Sequence, residues 1–194
     1  LGAISPQAWD RHRQVDYLAV RAQLDQQEFV LRVSRPWARD PGLYVDPLLN
    51  VAFTSLPLKG EALAAFRTKL RNVPKTLAAA RSNLTEVVGA YADFALHNLT
   101  ASDGVNLRHP YRAVPPDGVL GWFDDLLGRA KKEQPALAGD VQRARASVAD
   151  FERWLRENRS SMDRPSGVGK PLLDWYLRNV KLMPPSPATR AETT

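Results

Sequence analysis

Apolar residues in this chain return every three, four or seven positions, and nowhere do they alternate strongly enough to specify a strand. That period belongs to helices with one buried face. Ala8, Val15, Ala19, Ala22, Phe29 and Val33 form one such stripe. Ser5-Pro6 is a good start signal in front of it, serine as N-cap and proline at the first helical position. The pattern stops at "SRPWARDPG", where Pro36 and Pro41 break it. "YVDPLLNVAFTSL" then carries one or two short helical turns. Glu61 to Val73 reads as a second helix, with Leu63, Phe66 and Leu70 on one face, and Pro74 opens a third through "KTLAAARSNL". "EVVGAYADFALHNL" is a fourth, ending near Thr100. The glycine- and proline-rich run from Ser102 to Gly118 is expected to be a long loop, with one extended piece around Val105 to Leu107. "LGWFDDLLGRAKKE", Pro135 to Asn158 and Pro171 to Met183 complete the set. The expected fold is all-α, an elongated multi-helix array of about seven helices. Residues 1–184 are expected to form a single, incomplete helical domain, followed by a polar, proline-rich tail over 185–194.

Composition narrows the function classes. The chain has 194 residues, 44% hydrophobic and 25% charged, enough to bury a sizeable core. Cysteine is absent, which excludes disulfides, thiolate zinc sites and cysteine nucleophiles. The longest apolar candidate, "VVGAYADFAL", is too short for a membrane span and contains Asp93. The expectation is a soluble protein, in the cytoplasm or exported, with neither compartment favoured. The formal charge of +6 raises the question of nucleic acid, but the basic residues are interleaved with acids, as in "RAKKEQ" and "ERWLRENR". Solvated helix faces account for that pattern, and no nucleic-acid partner is expected.

The stretch "RPSGVGKPLLDWYLRNV", residues 164–180, invites a phosphate-binding reading. A nucleotide loop needs Gly-x-x-x-x-Gly-Lys-Ser/Thr behind a strand. Here Arg164 stands where the first glycine belongs, Pro171 stands where the hydroxyl belongs, and a helix precedes the loop. Gly167 and Gly169 instead permit unusual backbone angles, and Pro171 pre-sets a helical turn. Gly167, Gly169 and Lys170 together are a candidate anion or substrate-carboxylate site at a helix N-terminus, the alternative being a tight turn with a solvated lysine.

Other constellations are incomplete. His12, His97 and His109 lack the His-Glu-x-x-His spacing of a zinc helix. Adjacent Asp124 and Asp125 diverge by about 100° on a helix and do not make an acid/base pair. Asp93 and His97, four apart, could hydrogen-bond, but no nucleophile accompanies them. "Asn83-Leu84-Thr85" and "Asn98-Leu99-Thr100" match a glycosylation triplet, in helical rather than loop contexts. The five tryptophans fit a core better than a ligand cage. No catalytic residue and no metal ligand is assigned.

Three segments in order carry a resemblance: "RPWARDPGLYVDPL", "LRNVPKTLAAARSNL" and "RPSGVGKPLLDWYLRNVKLMP". Together they resemble the N-terminal half of domain-of-unknown-function family 885, predicted helical zinc metallopeptidases of bacteria related to the thermostable carboxypeptidases. The resemblance runs from about Ser5 to Pro184. It implies a helical body with a deep groove and, further along the family's chains, a zinc site of His-Glu-x-x-His plus a glutamate. No position here matches those ligands, so zinc is implied for the full-length family member and no cofactor for this chain. The resemblance thus implies the scaffold and substrate-groove portion of a zinc-dependent, carboxypeptidase-like enzyme, with a peptide as substrate. The start at Leu1 and the end at Thr194 suit a portion of a longer enzyme, whose partner would be the missing C-terminal half or a homo-oligomer mate. The alternative is a stand-alone, non-catalytic helical interaction module.

Overall fold

The computed structural model describes residues 4–101 and 110–183. The expected extended piece at Val105 to Leu107, His109 and the tail over 185–194 lie outside them. The fold is all-α. Among the described residues there is no strand, only an isolated bridge between Val88 and Arg164. The helices are α1 (Arg11–Phe29), α2 (Pro36–Arg39), α3 (Gly42–Val45), α4 (Leu48–Ala52), α5 (Gly60–Asn83), α6 (Gly89–Thr100), α7 (Gly118–Glu133), α8 (Ala138–Asn158) and α9 (Lys170–Asn179).

The chain divides into two compact units, one of residues 36–166 and one made by the flanking segments. In the larger unit α5 packs along α8, and α7 packs on α8, α6 and α4. Both members of the main pair carry a stripe at alternating three- and four-residue spacing. On α5 it is Phe66, Leu70, Val73, Leu77 and Ala80; on α8 it is Val141, Ala144, Val148, Phe151 and Leu155, all buried. Such stripes mesh along the length of two nearly aligned helices.

This explains the first departure from expectation. The second and third expected helices are one, because α5 runs straight through Pro74. Proline removes a backbone donor and disfavours a helix interior by about 3 kcal/mol. The stripe stays in phase across it, however, and burying Val73 on one side and Leu77 on the other offsets the loss. The start of α1 also differs. Ser5-Pro6 opens only a single 3-10 turn, Pro6–Ala8, and the helix proper begins after Asp10, whose carboxylate accepts the amide of Arg13 at 3.1 Å. An aspartate that reaches the third amide is a full N-cap; Ser5 makes no such bond. At its far end α1 widens into a π-type turn, Val30–Ser34, closed by Arg35 in a left-handed conformation at φ 41°.

Two polar clamps fix the irregular segments of the larger unit. The Arg129 guanidinium donates to Ala52 O and Thr54 O, both at 2.7 Å, covering carbonyls at the end of α4. Its Nε donates to Asp125 at 2.8 Å, and Arg112 donates to the other carboxylate oxygen at 2.7 Å. Gln134 holds Leu58 by both backbone groups, at 2.9 and 2.8 Å.

The smaller unit is thinner. Its helices α1 and α9 meet through Phe29, which stacks on Trp175 with ring centroids 6.1 Å apart and lies 4.7 Å from Tyr176. Of its described residues only Ala22 and Phe29 are buried.

Candidate functional site

Two places hold the residues the sequence singles out, and a third holds residues it does not. The first is the N-terminus of α9. Gly169 sits at φ 82°, a conformation that favours glycine, and its carbonyl accepts the amide of Leu173 at 3.0 Å. Gly167 has open space around the position of a side chain. Lys170 is mostly exposed, and its Nζ donates to Asp174 one turn on at 2.7 Å. The lysine is therefore already neutralised within its own helix, and Pro171 removes one of the amides that a helix N-terminus offers an anion. An exposed pair at this spacing is worth about 0.5 kcal/mol, so an incoming carboxylate could displace Asp174 at little cost.

The second place lies in the larger unit, where parts of the three resemblance segments converge. Tyr44 donates its hydroxyl hydrogen to Trp37 O at 2.9 Å and accepts from Asn83 at 3.1 Å. Arg39 donates to Pro165 O. The strand-like piece before α6 is held on both sides: Glu86 N to Ala38 O, Val88 N to Arg39 O and Arg164 N to Val87 O. Beside it lies a shallow polar depression of about 380 Å³, lined among others by Val88, Gly89, Ala90, Arg159 and Arg164. The guanidinium of Arg159 faces Asp93 with two bonds, 2.6 and 2.8 Å, and also donates to Met162 O at 3.1 Å. These bonds hold the Asp93 carboxyl below its ordinary range and the Arg159 guanidinium above its own. Asp93 thus spends both oxygens on Arg159 rather than on His97. Asp124 and Asp125 diverge as expected: Asp124 pairs with Arg145 of α8 at 2.9 and 3.0 Å, while Asp125 belongs to the Arg129 clamp. All of these are structural ion pairs.

Nothing in the described residues gathers three or more His, Asp or Glu side chains as ligands for a metal ion. His12 lies on α1 and His97 on α6. The donor set present does not fit a zinc centre, and no zinc chemistry is assigned to these residues.

The third place is the one the sequence reading missed. Helix α1 has two apolar stripes on opposite sides. Of the stripe expected to be buried only Ala22 and Phe29 are; Ala8, Val15 and Ala19 are exposed and Val33 is half-buried, because among the described residues no further element covers the first half of the helix on that side. Turned by about half a revolution are Tyr17, Val20, Leu24, Gln27 and Leu31, spaced three, four, three and four. Tyr17 is half covered by Trp9, which meets it edge-on at 5.8 Å. Val20, Leu24 and Leu31 are 54%, 51% and 60% exposed. The signal was present in the spacing, but a search for one stripe per helix stops at the first.

No protein-family model, curated protein or solved structure matches this chain. No described helix is long and apolar enough to cross a membrane.

Proposed function

We propose that this chain is a non-catalytic helical scaffold, the groove-bearing portion of a zinc-dependent, carboxypeptidase-like peptidase, and that its smaller unit docks against another helical body. The observation that carries the docking is the second apolar stripe of α1. A surface helix needs one apolar face; a helix with two opposite ones suits burial from both sides. Leaving Val20, Leu24 and Leu31 half in water forgoes roughly 1 kcal/mol for each. The peptidase context is supported by the three resemblance segments, parts of which are interlocked by Tyr44, Asn83, Arg39 and Pro165.

A groove role at Gly167, Gly169 and Lys170 predicts recognition of a free peptide carboxylate without turnover. The test is an amide-resolved NMR titration of the chain, with zinc present, using short peptides that end either in a free carboxylate or in an amide. Shifts over residues 167–172 with the free acid alone, lost in Lys170→Ala, together with intact peptide at the end, are the expected result. Zinc-dependent hydrolysis would overturn the non-catalytic assignment. Absence of shifts at millimolar peptide would remove the groove role and leave the second reading, a stand-alone interaction module, which draws on the same exposed stripe.

A further inference from the structure

We propose that the occupant of the exposed α1 stripe is a second copy of the same helix, packed antiparallel across a two-fold axis; this rests on the docking role of α1 given above. Three features of the helix point to a copy. First, Tyr17, Val20, Leu24 and Gln27 repeat at the three–four spacing of a two-helix seam, which accepts another helix rather than a sheet or a loop, and Leu31 prolongs it into the π-type turn at the end of α1. Second, the charges beside the seam complement themselves. Arg21 and Glu28 flank it on the same side, one heptad apart. In an antiparallel pair the same flanks face each other, so Arg21 meets the partner's Glu28 and Glu28 meets the partner's Arg21. A two-fold interface requires that reciprocity, residue i on j and j on i.

Third, the same axis, passing between Leu24 and Gln27, sets Val20 against the partner's Leu31 and Leu24 against the partner's Gln27. A polar residue at one seam position fixes register at some cost in strength. A parallel pair would stack Gln27 on its own copy and leave Glu28 opposite an uncharged Gln23. Among the described residues Arg21 pairs with Asp25 at 3.6 Å and Glu28 with Arg32 at 3.3 Å, each along its own helix, with Arg21 and Glu28 themselves about half exposed. Such pairs yield readily to a better-placed partner.

Sedimentation velocity on the full chain across the micromolar range tests this. The expected result is a concentration-dependent dimer that Leu24→Glu weakens by at least about tenfold. Circular dichroism checks that helicity is unchanged. Arg21→Glu and Glu28→Arg should each weaken the dimer, and the double reversal R21E/E28R should restore it, because the reversed pair again matches its copy. Rescue is the readout that general stickiness cannot imitate. A chain monomeric throughout overturns the self-pairing, as does a dimer indifferent to Leu24→Glu, or single reversals without rescue. The scaffold reading is judged apart from this, since the peptide titration reads residues 167–172 on monomer or dimer alike.

Discussion

Gly118 and Gly128 lie on the same helix and are expected to answer the same substitution with opposite signs. Gly118 begins α7 at φ 60°, and a Cβ there would fall 2.5 Å from Leu99 C and Thr100 N, main-chain atoms that cannot step aside. Gly118→Ala is expected to destabilise by about 2 kcal/mol or more, combining left-handed strain with overpacking. Gly128 is exposed in mid-helix with no neighbour within 4 Å. Gly128→Ala is expected to stabilise by about 0.5–1 kcal/mol. Urea midpoints of the two variants measure both. Asp40 and Asp93 make a second contrasting pair. Burial raises the Asp40 carboxyl above its ordinary value against the pull of the Gly42 amide, which donates to it at 2.8 Å. A raised acid binds its proton more tightly when folded, so its ionisation erodes stability as pH climbs from the ordinary carboxyl value through the raised one. Asp40→Asn keeps the oxygen that accepts from Gly42 and cannot ionise; it should melt above the wild type at neutral pH and converge with it in acid. Asp93 is lowered by Arg159, so its contribution is present above the ordinary value and fades as pH falls through the lowered one. Asp93→Asn should therefore melt below the wild type at neutral pH and converge in acid from the other side. Melting scans across the acidic range distinguish the two signs. The Asp93–Arg159 pairing was not legible in the sequence. Arg159 lies 66 positions from Asp93, and local pattern names the residue types without naming the partner.

At the scale of elements, periodicity was the reliable signal and punctuation the unreliable one. The stripes of α5, α7 and α8 are readable directly, and they are the buried faces. Proline was the misleading mark. At 36, 41 and 47 it opens short turns as its fixed φ suggests, yet at 74 it lies inside a helix whose stripe continues in phase. Local preference loses there because tertiary burial is larger than one missing hydrogen bond. The consequence is measurable. Pro74→Ala restores a donor within α5, while releasing some unfolded-state restriction, so a net gain of about 1–2 kcal/mol is expected. A drop in stability, read from urea midpoints, would mean that the proline ring itself fills space that alanine cannot. The candidate sites were less legible than the helices. Gly167, Gly169 and Lys170 could be named from the loop, but the Asp174 partner depends on where the helix starts. The α1 stripe could have been named from spacing alone, had both sides of the helix been counted.

For the molecule as a whole, the distribution of burial predicts where it opens first. The larger unit keeps Phe123, Phe151, Leu70, Leu77, Leu126 and Leu155 fully out of water. Among the described residues of the smaller unit only Ala22 and Phe29 are buried, and apolar burial is the main source of resistance to local opening. Amides of α1 and α9 should therefore exchange through a partial opening, while those of α5, α7 and α8 wait for global unfolding. Native-state hydrogen exchange at low protein concentration should show protection in α1 and α9 at least about tenfold below that of the larger unit. Equal protection in both units would show that they unfold as one cooperative body and would contradict the argument from burial. Repeating the measurement at high concentration extends the argument to the exposed stripe. If a second copy covers Val20, Leu24 and Leu31, mass action adds stability only to what the copy touches. Protection should then rise along α1 and leave α5, α7 and α8 at their own ceiling, a gain that Leu24→Glu should abolish.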